Sequence, residues 1–151
     1  MTVRLVPASR DNWLEAISLT VHEKQRGFVP SAAVSLAKVH IKPDGDQVVY
    51  LPFCIYHHDR MAGFIMHAYE EGTEAVHWIN GFFIAAAHQG HGYGMAALLR
   101  MIEYICTRFS RCREIRLTVH RDNPAAAFYQ KAGFEFTGEL YGAEKVMRLQ
   151  V

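Results

Sequence analysis

The run Gln89-Gly90-His91-Gly92-Tyr93-Gly94 sets three glycines on alternate positions. An apolar segment, Trp78-Ile79-Asn80-Gly81-Phe82-Phe83-Ile84, precedes it, and an amphipathic stretch beginning at Met95 follows. That order reads as strand, glycine turn, helix. Glycine has no Cβ, so the turn can curl and bring its backbone close to a bound group. The first N–H groups of a helix lack an intrahelical partner and lie at the positive end of the helix dipole. The turn is therefore built to hold phosphate oxygens.

Spacing narrows the kind of phosphate loop. A G-x-x-x-x-G-K-[ST] loop is excluded, because no lysine or hydroxyl residue follows Gly94. A dinucleotide fingerprint is excluded too, because Met95 stands where its third glycine would fall. What remains, Q-x-x-G-x-G after a strand, resembles the acetyl-CoA pyrophosphate loop of the GCN5-related N-acetyltransferases. A second segment, Asn123-Pro124-Ala125-Ala126-Ala127-Phe128-Tyr129-Gln130-Lys131-Ala132-Gly133-Phe134, is similar to that family's N-x-x-A-x-x-F-Y-x-x-x-G-F pattern. It starts 29 residues after Gly94, room for one helix and one strand.

The resemblance implies an α/β (α+β) fold. Its mixed central sheet would have six to seven strands, helices on both faces, and a cofactor cleft where strands four and five splay apart. Acetyl-CoA would be the cosubstrate. Phe83 and Ile84 would offer main-chain groups to its pantetheine arm and thioester. Gln89, Gly90, His91, Gly92, Tyr93, Gly94 and Met95 would hold the pyrophosphate, mainly through backbone N–H groups. Asn123 would contact the cofactor, and Lys131 would approach its phosphates. Tyr129 stands where the family places a tyrosine whose hydroxyl faces the sulfur, so it is the expected catalytic acid.

The 151 residues suit a single domain, 1–151. A formal net charge of +1 gives no electrostatic case for nucleic-acid or membrane binding. Cys54, Cys106 and Cys112 have no zinc-like spacing and read as reduced packing residues of a cytoplasmic protein. The nine histidines form no helical H-x-x-x-H pair, so no metal site is expected. No secretory or membrane-spanning segment is read.

Local patterns predict the elements. Residues 3–6 alternate as a first strand. Ser9 opens a helix reaching about His22, with Trp13, Ile17 and Val21 on one face. A short helix starts near Ser31, and residues 43–46 turn. Residues 54–56 and 62–68 are strands joined by His57-His58-Asp59-Arg60. Residues 76–84 form the central strand, in which Gly81 is consistent with a bulge. The third helix covers 92–109, its inner face carrying Met95, Leu98, Leu99, Ile102, Ile105, Cys106 and Phe109. Residues 114–119 form a fifth strand. Asn123 caps the next helix with Pro124 in its first turn and Gly133 past its end. Residues 134–136 and 145–149 close the sheet.

Acetyl transfer to an amine needs a neutral nucleophile, a stabilised oxyanion and a protonated leaving thiolate. Tyr129 serves the last. Many family members carry a basic glutamate on strand four, where this chain has Trp78. His77, His120, Glu23 or a water chain are the remaining candidates. The stretches 21–29 and 35–37, with the ending 138–147, look like the bacterial spermine/spermidine acetyltransferase group. Glu23, Glu139, Glu144, Phe28 and Tyr141 would supply acids and aromatic faces for a polyamine. Asn80 departs from the acid expected there. Three readings stay open: a small-molecule amine acetyltransferase with a polyamine as leading acceptor, acetylation of a macromolecular amine, and a non-catalytic CoA-binding sensor. The family also allows a homodimer.

Overall fold

Strand-period alternation puts opposite faces of one strand into different cores. In the computed structural model, which describes residues 2–151, the third strand shows this best: Phe64, Met66 and Ala68 enter one core and Ile65 the other. Strands run β1 (Arg4–Pro7), β2 (Val48–His57), β3 (Arg60–Glu70), β4 (Val76–Ile84), β5 (Glu114–His120), β6 (Glu135–Tyr141) and β7 (Glu144–Gln150). Helices are α1 (Trp13–Ser18), α2 (Ala32–Ile41), α3 (Tyr93–Arg108) and α4 (Ala126–Lys131), with single 3-10 turns at Glu23–Gln25 and Ala86–His88. The seven strands form one sheet in the order β1-β2-β3-β4-β5-β7-β6. Every neighbouring pair is antiparallel except β4 and β5. This is the mixed sheet that the glycine-turn resemblance implies.

Helices cover both faces. Ala97, Leu98, Met101 and Ile105 of α3 pack with Phe53, Ile55, Ile65, Ile79, Ile115 and Leu117 on one side. Ala16 of α1 and Ala32 of α2 pack with Tyr50, Cys54, Phe64 and Met66 on the other. Leu98, Met101 and Ile105 are fully buried, each worth roughly 1.5–3 kcal/mol of removal from water. The inner face of α3 is rotated from the one expected. Leu99 is 50% exposed and Cys106 is exposed, while Ala97 and Met101 take the inward positions.

α1 is shorter than predicted. It stops at Ser18, and Leu19 turns extended. Trp13, Leu14 and Ile17 remain exposed, so only Ala16 anchors the helix. Past Ser18, Leu19 and Val21 pack against the core from the extended chain instead. Ser31 caps α2 as expected, its hydroxyl accepting from the Val34 N–H. β2 begins six residues before the predicted strand, at Val48. Pro52 lies inside the strand. Its carbonyl accepts from the Ala8 N–H, just past the last β1 pair, Pro7 with Phe53. The missing proline donor therefore faces the end of β1, where no further ladder bond is required.

Two irregularities shape the sheet. Between β3 and β4 the register shifts, so that Gly81 and Phe82 together oppose Ile65. Gly81 has φ 59°, and a Cβ there would collide with the Ser35 hydroxyl of α2. Between β6 and β7 the register shifts again between Phe136 and Leu140, around Gly138 at φ 90°.

Candidate active site

β4 and β5 pair at only three positions, Val76 with Glu114, His77 with Ile115 and Trp78 with Arg116. Beyond Trp78 the bulge at Gly81 turns β4 away, since a bulge bends its strand and adds twist. The gap opens into a cleft of about 730 Å³. Its walls include Trp78, Asn80, Gly81 and Phe82 of β4, Leu117 and Thr118 of β5, Asn123, and Tyr129 of α4. Phe28, Val29 and Pro30 close it on the N-terminal side, and Tyr141 and Glu144 come from the β6–β7 hairpin.

The closed end is held by charge. The Glu114 carboxylate accepts from the Arg116 Nε and, at 3.4 Å, from Arg148. Arg116 also donates to Glu139 at 3.2 Å. The Glu114 hydrogen bond is the main reason that Arg116 holds its proton more tightly than usual.

The glycine loop follows β4 across the 3-10 turn Ala86–His88. Gly90 and Gly92 both have φ 83°, a left-handed conformation that side chains disfavour. Gly92 is the N-cap of α3, and the first helical bond is Ala96 N–H to the Gly92 carbonyl at 3.2 Å. The N–H groups of Tyr93, Gly94 and Met95 thus precede the helical ladder and form a donor set for an anion. Gly94 lies where α3 packs on α4 and β4: a Cβ there would sit in ordinary contact with Phe128 at 3.5 Å and Ile84 at 3.6 Å. His91 is exposed, stacked on Tyr93 with centroids 5.5 Å apart. The Tyr93 hydroxyl shares a 3.0 Å hydrogen bond with His57 Nδ1.

Gln89 spends its side chain on structure. Its amide donates to the Ile84 carbonyl and to Gln25 Oε1, both at 2.9 Å, and Gln25 donates back to Gln89 Oε1 at 3.3 Å. The N–H and C=O of one strand residue point to the same edge. With its carbonyl turned to Gln89, Ile84 directs its N–H away from β3, toward the gap. The Phe83 carbonyl lies against Gly63 on β3. Its ring stacks on Phe64 at 6.2 Å, in the core beneath α1 and α2. The polar backbone on the open edge therefore comes from Ile84 rather than Phe83.

Tyr129 is half-buried among aromatic rings, edge-on to Phe128 at 5.2 Å, Phe134 at 6.0 Å and Phe82 at 6.4 Å. Burial raises its pKa, which keeps the hydroxyl protonated at neutral pH. Asn123 lies two residues before the helix cap rather than on it. Its Oδ1 accepts from the Ala125 N–H at 3.0 Å, a turn that brings the chain back over the cleft, and Ala125 is the cap. The proline after Asn123 stays in the turn, outside α4. Lys131 is exposed at the last residue of α4.

The candidate bases separate. His77 is fully buried at the closed end, its Nδ1 2.7 Å from His67 Nε2 and its Nε2 donating to the Glu74 carbonyl at 3.0 Å. Burial lowers its pKa, against the pull of that carbonyl. His67, also fully buried, is pushed down to about 3 by burial and by the charge of His77. Neither lines the cleft. Glu23 is exposed in the first 3-10 turn, outside the cleft walls. His120 ends β5 with its ring 5.4 Å from Phe28. Of the acids and aromatics expected to meet a polyamine, Phe28, Tyr141 and Glu144 line the cleft, while Glu139 is engaged by Arg116. Asp44, Glu70, Tyr69 and Trp78 also line it, and sequence reasoning missed them in that role. Asp44 reads only as part of a turn and Glu70 only as the start of a polar loop, and no spacing tied them to the distant glycine loop. Among the described residues, no three His, Cys, Asp or Glu side chains are grouped to hold a metal ion. None of the described helices is long and apolar enough to cross a membrane.

Comparison with known proteins adds to this geometry. A model of the acetyltransferase (GNAT) family matches residues 30–134. The chain is 28% identical to the spermine/spermidine N(1)-acetyltransferase of Bacillus subtilis strain 168, with 97% of each chain covered. In structure it is similar to an acetyltransferase from Thermus thermophilus, with a TM-score of 0.76 at 17% identity over 100% of this chain and 98% of that one. It is also similar to the spermidine N-acetyltransferase of Vibrio cholerae solved with CoA and spermine. There the TM-score is 0.75 at 19% identity, covering 98% of this chain and 95% of that one.

Proposed function

The chain belongs to the acetyltransferase (GNAT) family, and from that premise we propose that it moves an acetyl group from acetyl-CoA to a primary amine, a polyamine first among acceptors. The observation that carries this reading is the parting of β4 and β5 beside the glycine loop, with Tyr129 in the gap. The donors at Tyr93, Gly94 and Met95 would hold the pyrophosphate by main-chain N–H groups, so their side chains matter less than the glycine geometry. The Ile84 N–H, free of the Gln89 contact, would donate to the thioester oxygen as negative charge develops there. Tyr129 would protonate the departing thiolate. Asn123 and Lys131 would touch the cofactor at the far wall. All of this fits within residues 1–151 as one catalytic domain.

Acceptor choice rests on the cleft and on the relative. Glu144, Glu70 and Asp44 bring negative charge to a cleft that also presents Phe28, Trp78 and Tyr141. Acids with aromatic faces suit a flexible polycation. The Bacillus relative, named for spermine and spermidine, matches over almost its whole length. The test is CoA release from acetyl-CoA with spermine, spermidine, short diamines, amino acids and peptides. Turnover with spermine and spermidine supports the reading. Turnover confined to amino acids or peptides keeps the acetyltransferase and discards the polyamine.

A further inference from the structure

The reaction needs a group to take the amine's proton, and His77 and Glu23 do not line the cleft. Glu144 does. It opens β7 opposite His120, the last residue of β5, and also pairs across the hairpin with Tyr141 of β6. It shares the cleft with Asn80, Thr118, Asn123 and Tyr129. Its Oε2 is buried and has no hydrogen-bond partner among the described residues. An unpartnered carboxylate oxygen is costly in a folded protein, and the cost is relieved by a proton or by a bound N–H. Burial accordingly raises the pKa of Glu144, and the charge of His120 draws it part of the way back. His120 is itself fixed. The Asp122 N–H lies 3.1 Å from its Nδ1, and Phe28 packs on the ring. The other ionisable side chains of the cleft walls are Tyr129, Tyr141, Tyr69, Lys38, Asp44 and Glu70.

We propose that Glu144 is the catalytic base of this site and that His120 is the residue that positions it. The inference rests on the acyl-transfer reading given above. The Glu144 carboxylate takes one proton from the substrate ammonium and becomes a carboxylic acid. The freed amine nitrogen bonds to the thioester carbon, and the carbonyl π electrons move to oxygen. Collapse of that intermediate breaks the C–S bond. Tyr129 gives its proton to the thiolate and regains one from the new amide nitrogen. Glu144 then releases its proton to solvent.

The test compares wild type, Glu144→Gln, Glu144→Asp and His120→Gln in CoA release against the same amine panel, with thermal melts of each. Glutamine keeps the shape and cannot accept the proton. The expected result is a kcat lower by ~10²-fold or more in Glu144→Gln, with an unchanged KM for acetyl-CoA. The acid limb of the wild-type kcat/KM profile, lying above the ordinary carboxylate range, should vanish with it. Glu144→Asp should recover part of the rate. His120→Gln should move the limb and leave most of kcat. Wild-type kcat in Glu144→Gln, or a change confined to the amine KM, overturns the proposal while leaving the acetyltransferase intact. If Glu144→Gln fails to fold, Glu144→Asp decides: a native melt with undiminished kcat overturns the role. A wild-type protein that turns over no amine overturns the acceptor reading as well as the base.

Discussion

Trp78 and Arg116 are the last residues at which β4 and β5 pair. One residue further on, the strands go their own ways, and the bonds of Arg116 to Glu114 and Glu139 close the sheet at that point. Glu114 also accepts from Arg148 on β7, so one carboxylate ties three positions of two strands. Glu114→Gln removes its charge and leaves two guanidinium groups facing each other. The expected cost is about 1–3 kcal/mol, less than for a fully buried pair because Arg148 is partly exposed. Denaturant unfolding of the variant checks it.

Tyr129→Phe keeps the ring among Phe82, Phe128 and Phe134 and deletes only the hydroxyl. Stability should hold within about 1 kcal/mol, the usual net worth of one hydroxyl contact. The rate should fall ~10²-fold or more if the hydroxyl protonates the thiolate. Single-turnover kinetics with saturating acetyl-CoA separate this from weaker binding. An unchanged rate would remove Tyr129 from the mechanism.

Gly81→Ala attacks the bulge. The residue would be strained at φ 59°, and its Cβ would press on the buried Ser35 hydroxyl. A loss of ~1–3 kcal/mol in stability is expected. The double variant with Ser35→Ala should recover part of it, since the collision is with that hydroxyl and the backbone strain remains. A double-mutant cycle reads the coupling.

The buried histidine pair sets a pH limit on the fold. His67 has a folded pKa of about 3, against its usual 6.5. Below pH 6.5 the unfolded chain takes up a proton that the folded chain refuses, so stability falls as pH drops from there toward 3. His77, also lowered, steepens the loss. The slope should approach about 1.4 kcal/mol per pH unit from His67 alone. At and above neutral pH neither contributes. His67→Phe should flatten the acid side of the profile, measured by urea unfolding at several pH values. A wild-type profile flat from about pH 7 to about pH 4 would contradict the pair's assignment as buried and neutral.

The legible parts of this fold are those where one signal dominates. β4 ran for nine residues between a polar loop and a glycine turn, and its bounds were read off the apolar run. α3 followed because the glycines fix where it must begin. α1 was over-read, because Trp13, Ile17 and Val21 satisfy helical spacing, yet Trp13 and Ile17 stay exposed and Val21 reaches the core from beyond the helix end. β2 was under-read: its first six residues include Pro52, which a strand accepts where no ladder donor is required. The cleft was half legible. Asn123 and Tyr129 carry a local motif, whereas Trp78, Tyr69 and Glu70 reach it only through strand register. Glu144 was read as an acid for substrate recognition. Its unpartnered oxygen and its place opposite His120 arise from the packing of three strands, and no local pattern encodes that.

The register shift around Gly138 lies on β6, the outer strand of the sheet. An edge strand displays a row of open N–H and C=O groups, and Phe136, Leu140 and Tyr141 are exposed on this one. Straight, it would be a template on which a second chain could add strand after strand. The displaced residues between Phe136 and Leu140 break the phase of that row, so a docking strand would lose its ladder within a few residues. The irregularity that looks like a defect of the hairpin thus leaves the edge less regular for another strand to pair with.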